Sequence, residues 1–206
     1  MLPVVRFEGL FESHLTVEPT DDDGRLRSLA RRHGAKYTRI VLDRGRTPDQ
    51  PMVTVRGRGT LDDQRALTAA WTRRLQAAGF PVTRAKIEAA PDNTGVPQGG
   101  ELPDGCYFEH HLKVVLAGDA GIAAVREIGE RHAAHVSRNA RRVLPGGGHE
   151  RFVTQRCHDA AQPEARRRLA ALIAELTAAG FPPVEIEEEY VVSDSNLTLD
   201  AGWIRS

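Results

Sequence analysis

The sequence predicts an α+β protein built as a tandem duplication of a ferredoxin-like βαββαβ unit, with two antiparallel sheets and helices on one face of each. Three observations predict it. The first half of the chain recurs about 100 residues later, each copy alternates strand-period with helix-period segments, and a Gly- and Pro-rich stretch divides the copies. The recurrence has four blocks in one order. Phe11-Glu12-Ser13-His14-Leu15 returns as Phe108-Glu109-His110-His111-Leu112, and the segment His33 to Arg39 as His132 to Arg138. Val53-Thr54-Val55-Arg56 returns as Val153-Thr154-Gln155-Arg156, and Ala77 to Pro81 as Ala178 to Pro182.

In the first copy, Leu10 to Glu18 alternates as a half-buried strand does, with Phe11, Leu15 and Val17 on one side and Glu12, His14 and Thr16 on the other. A helix is expected over Asp22 to His33, with acidic residues at its positive end, Arg31 and Arg32 at its negative end, and Gly34 as its stop. Tyr37 to Leu42 and Pro51 to Arg56 read as a hairpin around a polar turn. Thr60 caps a second helix, answered by Asp63 three residues later, and that helix runs to Gly79, with Phe80 packing back over its last turn. Val82 to Ala89 is the last strand. The second copy repeats the scheme from Cys106 to Val192, with Asp119 as a helix cap, Pro163 in a first helical turn and Gly180 as a stop. The expected boundaries are residues 1–90 for the first repeat, 91–105 for a linker without a core of its own, 106–193 for the second repeat and 194–206 for a tail. Trp203 is the residue by which that tail would anchor, the alternative being a flexible end.

Composition narrows the function classes. The 206 residues carry 28 basic and 28 acidic side chains, with 27% charged and 40% hydrophobic, as in ordinary globular proteins. Neutral balance opposes broad attraction to nucleic acid or anionic lipid. No apolar run approaches the roughly 20 residues that span a bilayer, and Pro3, Arg6 and Glu8 interrupt the first ten residues, so no membrane contact and a cytoplasmic location are expected. Cys106 and Cys157 form no CxxC pair and read as buried thiols.

In a ferredoxin-like sheet the first and third strands lie side by side. The repeated Glu-x-His and Thr-x-Arg motifs are therefore expected on the uncovered face, placing Glu12 and His14 near Thr54 and Arg56, and Glu109 and His111 near Thr154 and Arg156. One reading is a pair of ordinary cross-strand ion pairs, Glu12 with Arg56 and Glu109 with Arg156. The other is a ligand site. If the two sheets face each other, the doubled set surrounds one cleft in which Arg offers a planar fork for a carboxylate or phosphate, Thr orients the anion, and His14 and His111 exchange protons. The partner is then a small anionic molecule.

His14-Leu15-Thr16 on a strand is similar to the His-x-Thr/Ser motif of the two-histidine phosphoesterases, which also have two related lobes. The resemblance implies phosphoester chemistry with His14 and His111 as the catalytic pair. The second copy departs from the motif, since His111-Leu112-Lys113 puts Lys113 where the hydroxyl belongs.

Six of the eight histidines fall in the second copy. For a metal, His111 and Glu109 are the best starting ligands, whereas His132 and His135 straddle a helix end and His110 points away from His111. His33 and His132 are expected to meet terminal helix carbonyls. The glycines Gly146-Gly147-Gly148 lack the Gly-Lys-Ser/Thr of a phosphate-binding loop, and no cofactor is named by any motif. Arg138, Arg141 and Arg142, like Arg166, Arg167 and Arg168, read as solvated faces. Two further function classes stay open. One is a nonenzymatic interaction module or homo-oligomer meeting a partner through the polar sheets, and the other is an RNA-associated module, disfavoured because the central strands lack stacking aromatics.

Overall fold

The computed structural model describes residues 6–100, 102–118, 120–139 and 148–203. Its elements are β1 (Glu8–Val17), α1 (Asp23–Arg32), β2 (Lys36–Leu42), β3 (Asp49–Thr60), α2 (Leu61–Ala77), β4 (Val82–Ala89), β5 (Tyr107–Leu116), α3 (Ala120–Arg131), β6 (Ala134–Asn139), β7 (His149–Cys157), α4 (Gln162–Ala178) and β8 (Glu185–Asp194). The order strand, helix, strand, strand, helix, strand thus occurs twice.

Local chemistry accounts for the helix ends. The Asp22 side chain accepts from the Arg25 N–H at the start of α1, and Gly34 leaves that helix at φ 73°, a left-handed angle that glycine adopts without strain. Thr60 and Asp63 satisfy each other's backbone N–H groups at the start of α2. Pro163 stands in the first turn of α4. The cap expected at Asp119 and the glycines Gly146 and Gly147, with Arg141 and Arg142, lie outside the described residues. Strand β3 is longer than expected, because β1 continues to pair with it out to Glu8 opposite Thr60.

The two separate sheets expected from the sequence are instead one. The eight antiparallel strands close in the order β1-β3-β2-β6-β7-β5-β8-β4. Within each half the order leaves two edges, β2 and β4 in the first and β6 and β8 in the second. These edges meet: Ile40 to Leu42 pair with Asn139 to Ser137, and Lys86 to Ala89 pair with Asp194 to Tyr190 across a bulge. Edge strands carry unpaired backbone donors and acceptors, and closure satisfies them.

Side-chain alternation then divides the wall. Leu15, Val17 and Val53 point outward onto Leu26, Leu29, Trp71, Leu75 and Phe80, and Leu112, Val114 and Val153 onto Val125, Ile128, Leu172 and Leu176, so each half packs its helices on the barrel's outside. A third apolar cluster, including Phe11, Ile87, Phe108 and Tyr190, lies around the β4–β8 seam. The expected linker contributes to it. Val96 is buried there, the Asn93 amide bonds both backbone groups of Leu10, and Gly95 sits at φ 90° where a Cβ would fall 2.4 Å from the Arg6 carbonyl oxygen. Residues 93–96 of that stretch therefore form a packed strap, because they cross apolar surface that a free linker would leave wet. The tail is anchored too: Trp203 is buried and its indole N–H donates to the Val136 carbonyl at 2.9 Å. Among the described residues, no helix is long and apolar enough to cross a membrane.

Candidate functional site

The inward residues enclose a cavity of about 170 Å³, room for on the order of ten waters. Every site residue expected from the sequence lines it: Glu12, His14, Thr54, Arg56, Glu109, His111, Thr154 and Arg156. Strand pairing explains the convergence. Glu12 stands between Arg56 and Glu88, and Glu109 between Arg156 and Glu189. His14 stands between Thr54 and Lys86, and His111 between Thr154 and Glu187. The two halves thus present matching registers toward one space, differing where Lys86 faces His14 but Glu187 faces His111.

Each imidazole is held at both nitrogens. His14 Nδ1 lies 2.9 Å from Thr54 Oγ1 and Nε2 lies 2.5 Å from Glu88 Oε2. His111 Nδ1 lies 3.0 Å from Thr154 Oγ1, while Nε2 lies 3.3 Å from both Glu109 and Glu189. Burial works against charging either ring, yet the carboxylates outweigh it. His14 is raised by the charge and hydrogen bond of Glu88, and His111 is pushed up to about 10 by Glu109 and Glu189. His111 is imidazolium at neutral pH and donates at both nitrogens, and His14 is shifted toward the same form.

Charged residues absent from the expected set, among them Lys86, Glu88, Glu189, Arg84 and Asp200, complete the lumen's balance. Lys86 places its ammonium between Glu88 and Glu109, two carboxylates that are each 1% exposed. Burial alone would raise both acids, but Lys86 and His14 lower Glu88, and Arg156 and Lys86 hold Glu109 well below the usual range. Glu189 is the exception. Burial, reinforced by the negative charge of Glu88, pushes it up to about 7 against the pull of His111, leaving it poised to gain or lose a proton near neutrality. Asp200, on the tail, accepts from Arg84 and Arg156 at 2.8 Å each and from Gln50 at 3.0 Å. Arg84 also holds Asp194, and Arg156 also holds Glu109.

The expected arginine forks therefore have different fates. Arg156 is buried and spent on Glu109 and Asp200, whereas Arg56 bonds Glu12 at 2.6 Å but remains 78% exposed. Lys36 is exposed as well, so Arg56 and Lys36 mark where the cavity meets solvent. Thr16 faces the lumen beside His14, while Lys113, at the departing position of the second copy, pairs with Glu185. Away from the lumen, His132 bonds Glu175 of α4 at 2.6 Å rather than a terminal carbonyl, because α4 packs beside the end of α3. His110 is buried on the outer side against Gln155.

Fold and site together define an eight-stranded antiparallel barrel with external helices and a buried network of charges. No protein-family model matches the chain, and no curated protein matches it. Among solved structures the chain is similar to a candidate glycine cleavage system transcriptional repressor, with TM-score 0.31 and 7% identity over 91% of this chain and 98% of that one. It is similar to a heme-binding protein from Thermus thermophilus, with TM-score 0.30 and 13% identity over 93% and 94%, and to a candidate chlorite dismutase, with TM-score 0.28 and 12% identity over 90% and 95%. At such TM-scores these likenesses carry no functional argument, and the reading rests on the lumen.

Proposed function

We propose that the barrel binds a small molecule in its lumen, that an anionic group of the ligand is received by Lys36 and Arg56 at the mouth, and that His14, His111 and Glu189 exchange protons with the part that reaches inside. The observation that carries this reading is the convergence of two imidazoles and a carboxylate of near-neutral pKa on one cavity that opens beside exposed cations. The His111 imidazolium can donate a proton, His14 is shifted toward the same form, and Glu189 can take a proton, which is the inventory an acid–base step needs; cleavage of a phosphoester is one such step. Arg156 serves in this reading as a positioning residue for Glu109. The polar sheet faces turn inward, so a protein or RNA partner would have to meet the outside of the barrel. We infer further that the halves are ferredoxin-like units descended from one duplicated ancestor, supported by their shared element order and matching registers.

Inorganic phosphate is the probe that tests the anion end. In an NMR titration, phosphate is expected to shift backbone signals of Lys36 and Arg56 in the native chain, and the doubly substituted Lys36→Ala, Arg56→Ala chain is expected to lose the response. Shifts that persist in the double variant, or that are absent from the native chain, overturn the proposed mouth.

A further inference from the structure

We propose that Glu12, His14 and Glu189 bind a divalent first-row transition-metal ion at the wall of the lumen. The proposal deepens the reading of the lumen as a ligand site and rests on it; with the ion bound, His14 and Glu189 act as its ligands and His111 keeps the proton-exchange role. The three side chains present donor atoms within 4.8 Å of one another, two from β1 and the third from β8. Metal bonds of about 2.0–2.2 Å bring ligand atoms to within roughly 4 Å, so a small inward swing of the carboxylates completes the site. One imidazole with carboxylates suits Mn²⁺, Fe²⁺ or Zn²⁺ better than Ca²⁺, which prefers oxygen alone.

A second, independent observation comes from the opposite wall. Glu109, His111 and Glu88 form the matching triad, each at the register position that Glu12, His14 and Glu189 hold in the other half. A cation already stands in that triad: the Lys86 ammonium bridges Glu88 and Glu109. Where the first half carries Lys86, the second carries Glu187, whose carboxylate also lines the cavity. The chain therefore neutralises one triad with its own lysine, whereas among the described residues no lysine bridges the carboxylates of the other. Arg56 reaches Glu12 from the mouth, but it is an exposed side chain that can swing away. His14 is also prepared as a ligand. Thr54 Oγ1 holds Nδ1 at 2.9 Å and turns Nε2 into the lumen, the arrangement by which outer partners orient metal-binding histidines.

The ion takes the Nε2 lone pair in place of the Nε2–Glu88 hydrogen bond, and any proton held at Nε2 leaves to solvent as that bond forms. The full chain, treated with chelator and dialysed, is to be titrated with Mn²⁺ and Zn²⁺ by calorimetry. One ion per chain is expected. Glu189→Gln and His14→Gln should each weaken binding at least about 100-fold, beyond the roughly 10–100-fold that loss of an outer partner costs. His132→Gln, which breaks a His–Glu pair on the barrel's exterior, should change nothing. Should a lumen variant fail to fold, Mn²⁺ line broadening in the native chain decides: His14 and Glu189 signals must vanish first. Absence of binding, binding unchanged in both lumen variants, or broadening centred on His132 overturns the metal site. The phosphate response at Lys36 and Arg56 is read separately, so its survival would leave the ligand reading standing while the metal falls, and its loss beside intact metal binding would show the reverse.

Discussion

At the scale of single residues, buried charge dominates. Asp200 is 3% exposed and carries hydrogen bonds from Arg84 and Arg156, which come from different halves. Removing one partner of such a group leaves the others as uncompensated charge, which typically costs about 3–5 kcal/mol. Asp200→Ala is thus expected to lower the unfolding free energy by that amount in urea titrations with little change of slope; a loss below about 1 kcal/mol would show that Arg84 and Arg156 are satisfied by Asp194 and Glu109 alone. The residues of the doubled motif were legible in the sequence, because Glu-x-His and Thr-x-Arg recur in register and alternate cleanly. Lys86, Glu88, Glu189 and Asp200 were not. A signal existed for three of them: Arg84, Lys86 and Glu88 alternate at strand period, as do Glu185, Glu187 and Glu189, which is the pattern of a wall with a polar side. Asp200 belongs to no strand, and only the folded tail brings it under the arginines.

At the scale of elements, the helices and strands followed from caps, glycine stops and periodicity, most closely at β4, whose expected and observed limits coincide. Closure did not, because a strand's own pattern says which side is apolar and nothing about which foreign edge it meets. The two seams differ in extent from the interior pairings. The β2–β6 seam has three residue pairs, Ile40 with Asn139 to Leu42 with Ser137, whereas β1 and β3 pair over nine. Short ladders open locally at lower free energy. Hydrogen exchange followed by mass spectrometry should accordingly deprotect peptides covering Ile40 to Leu42 before those covering Ser13 to Leu15, and the opposite sequence would mean that the seam is reinforced by more than its backbone pairs.

At the scale of the whole molecule, the lumen makes stability depend on pH from both directions. Glu109, Asp194 and Asp200 are held below the ordinary carboxylate range, opposed by burial and won by their cationic partners. A depressed carboxylate contributes stability that is present above its unfolded value and lost as pH falls through the folded one, so acidification below about pH 4 should destabilise the fold. His111, raised to about 10, and Glu189, raised to about 7, act in the other sense. Their contributions are complete below the unfolded values of about 6.5 and 4.3 and are lost as pH rises through the folded ones. Urea midpoints are expected to peak near about pH 5–6 and decline on both sides, and a midpoint that holds constant from pH 6 to pH 10 would contradict the assigned imidazolium.

The sharing of charges between halves also bears on how such a chain can change over generations. Lys86 serves acids from β4 and β5, and Asp200 serves guanidinium groups from β4 and β7. A lone replacement at any of these positions strands its neighbours, while a coordinated set of replacements does not. Epistasis is therefore built into the barrel's interior: descendants of this chain should alter Arg84, Arg156 and Asp200 together or keep all three, and the same concerted inheritance should bind Lys86 to Glu88 and Glu109.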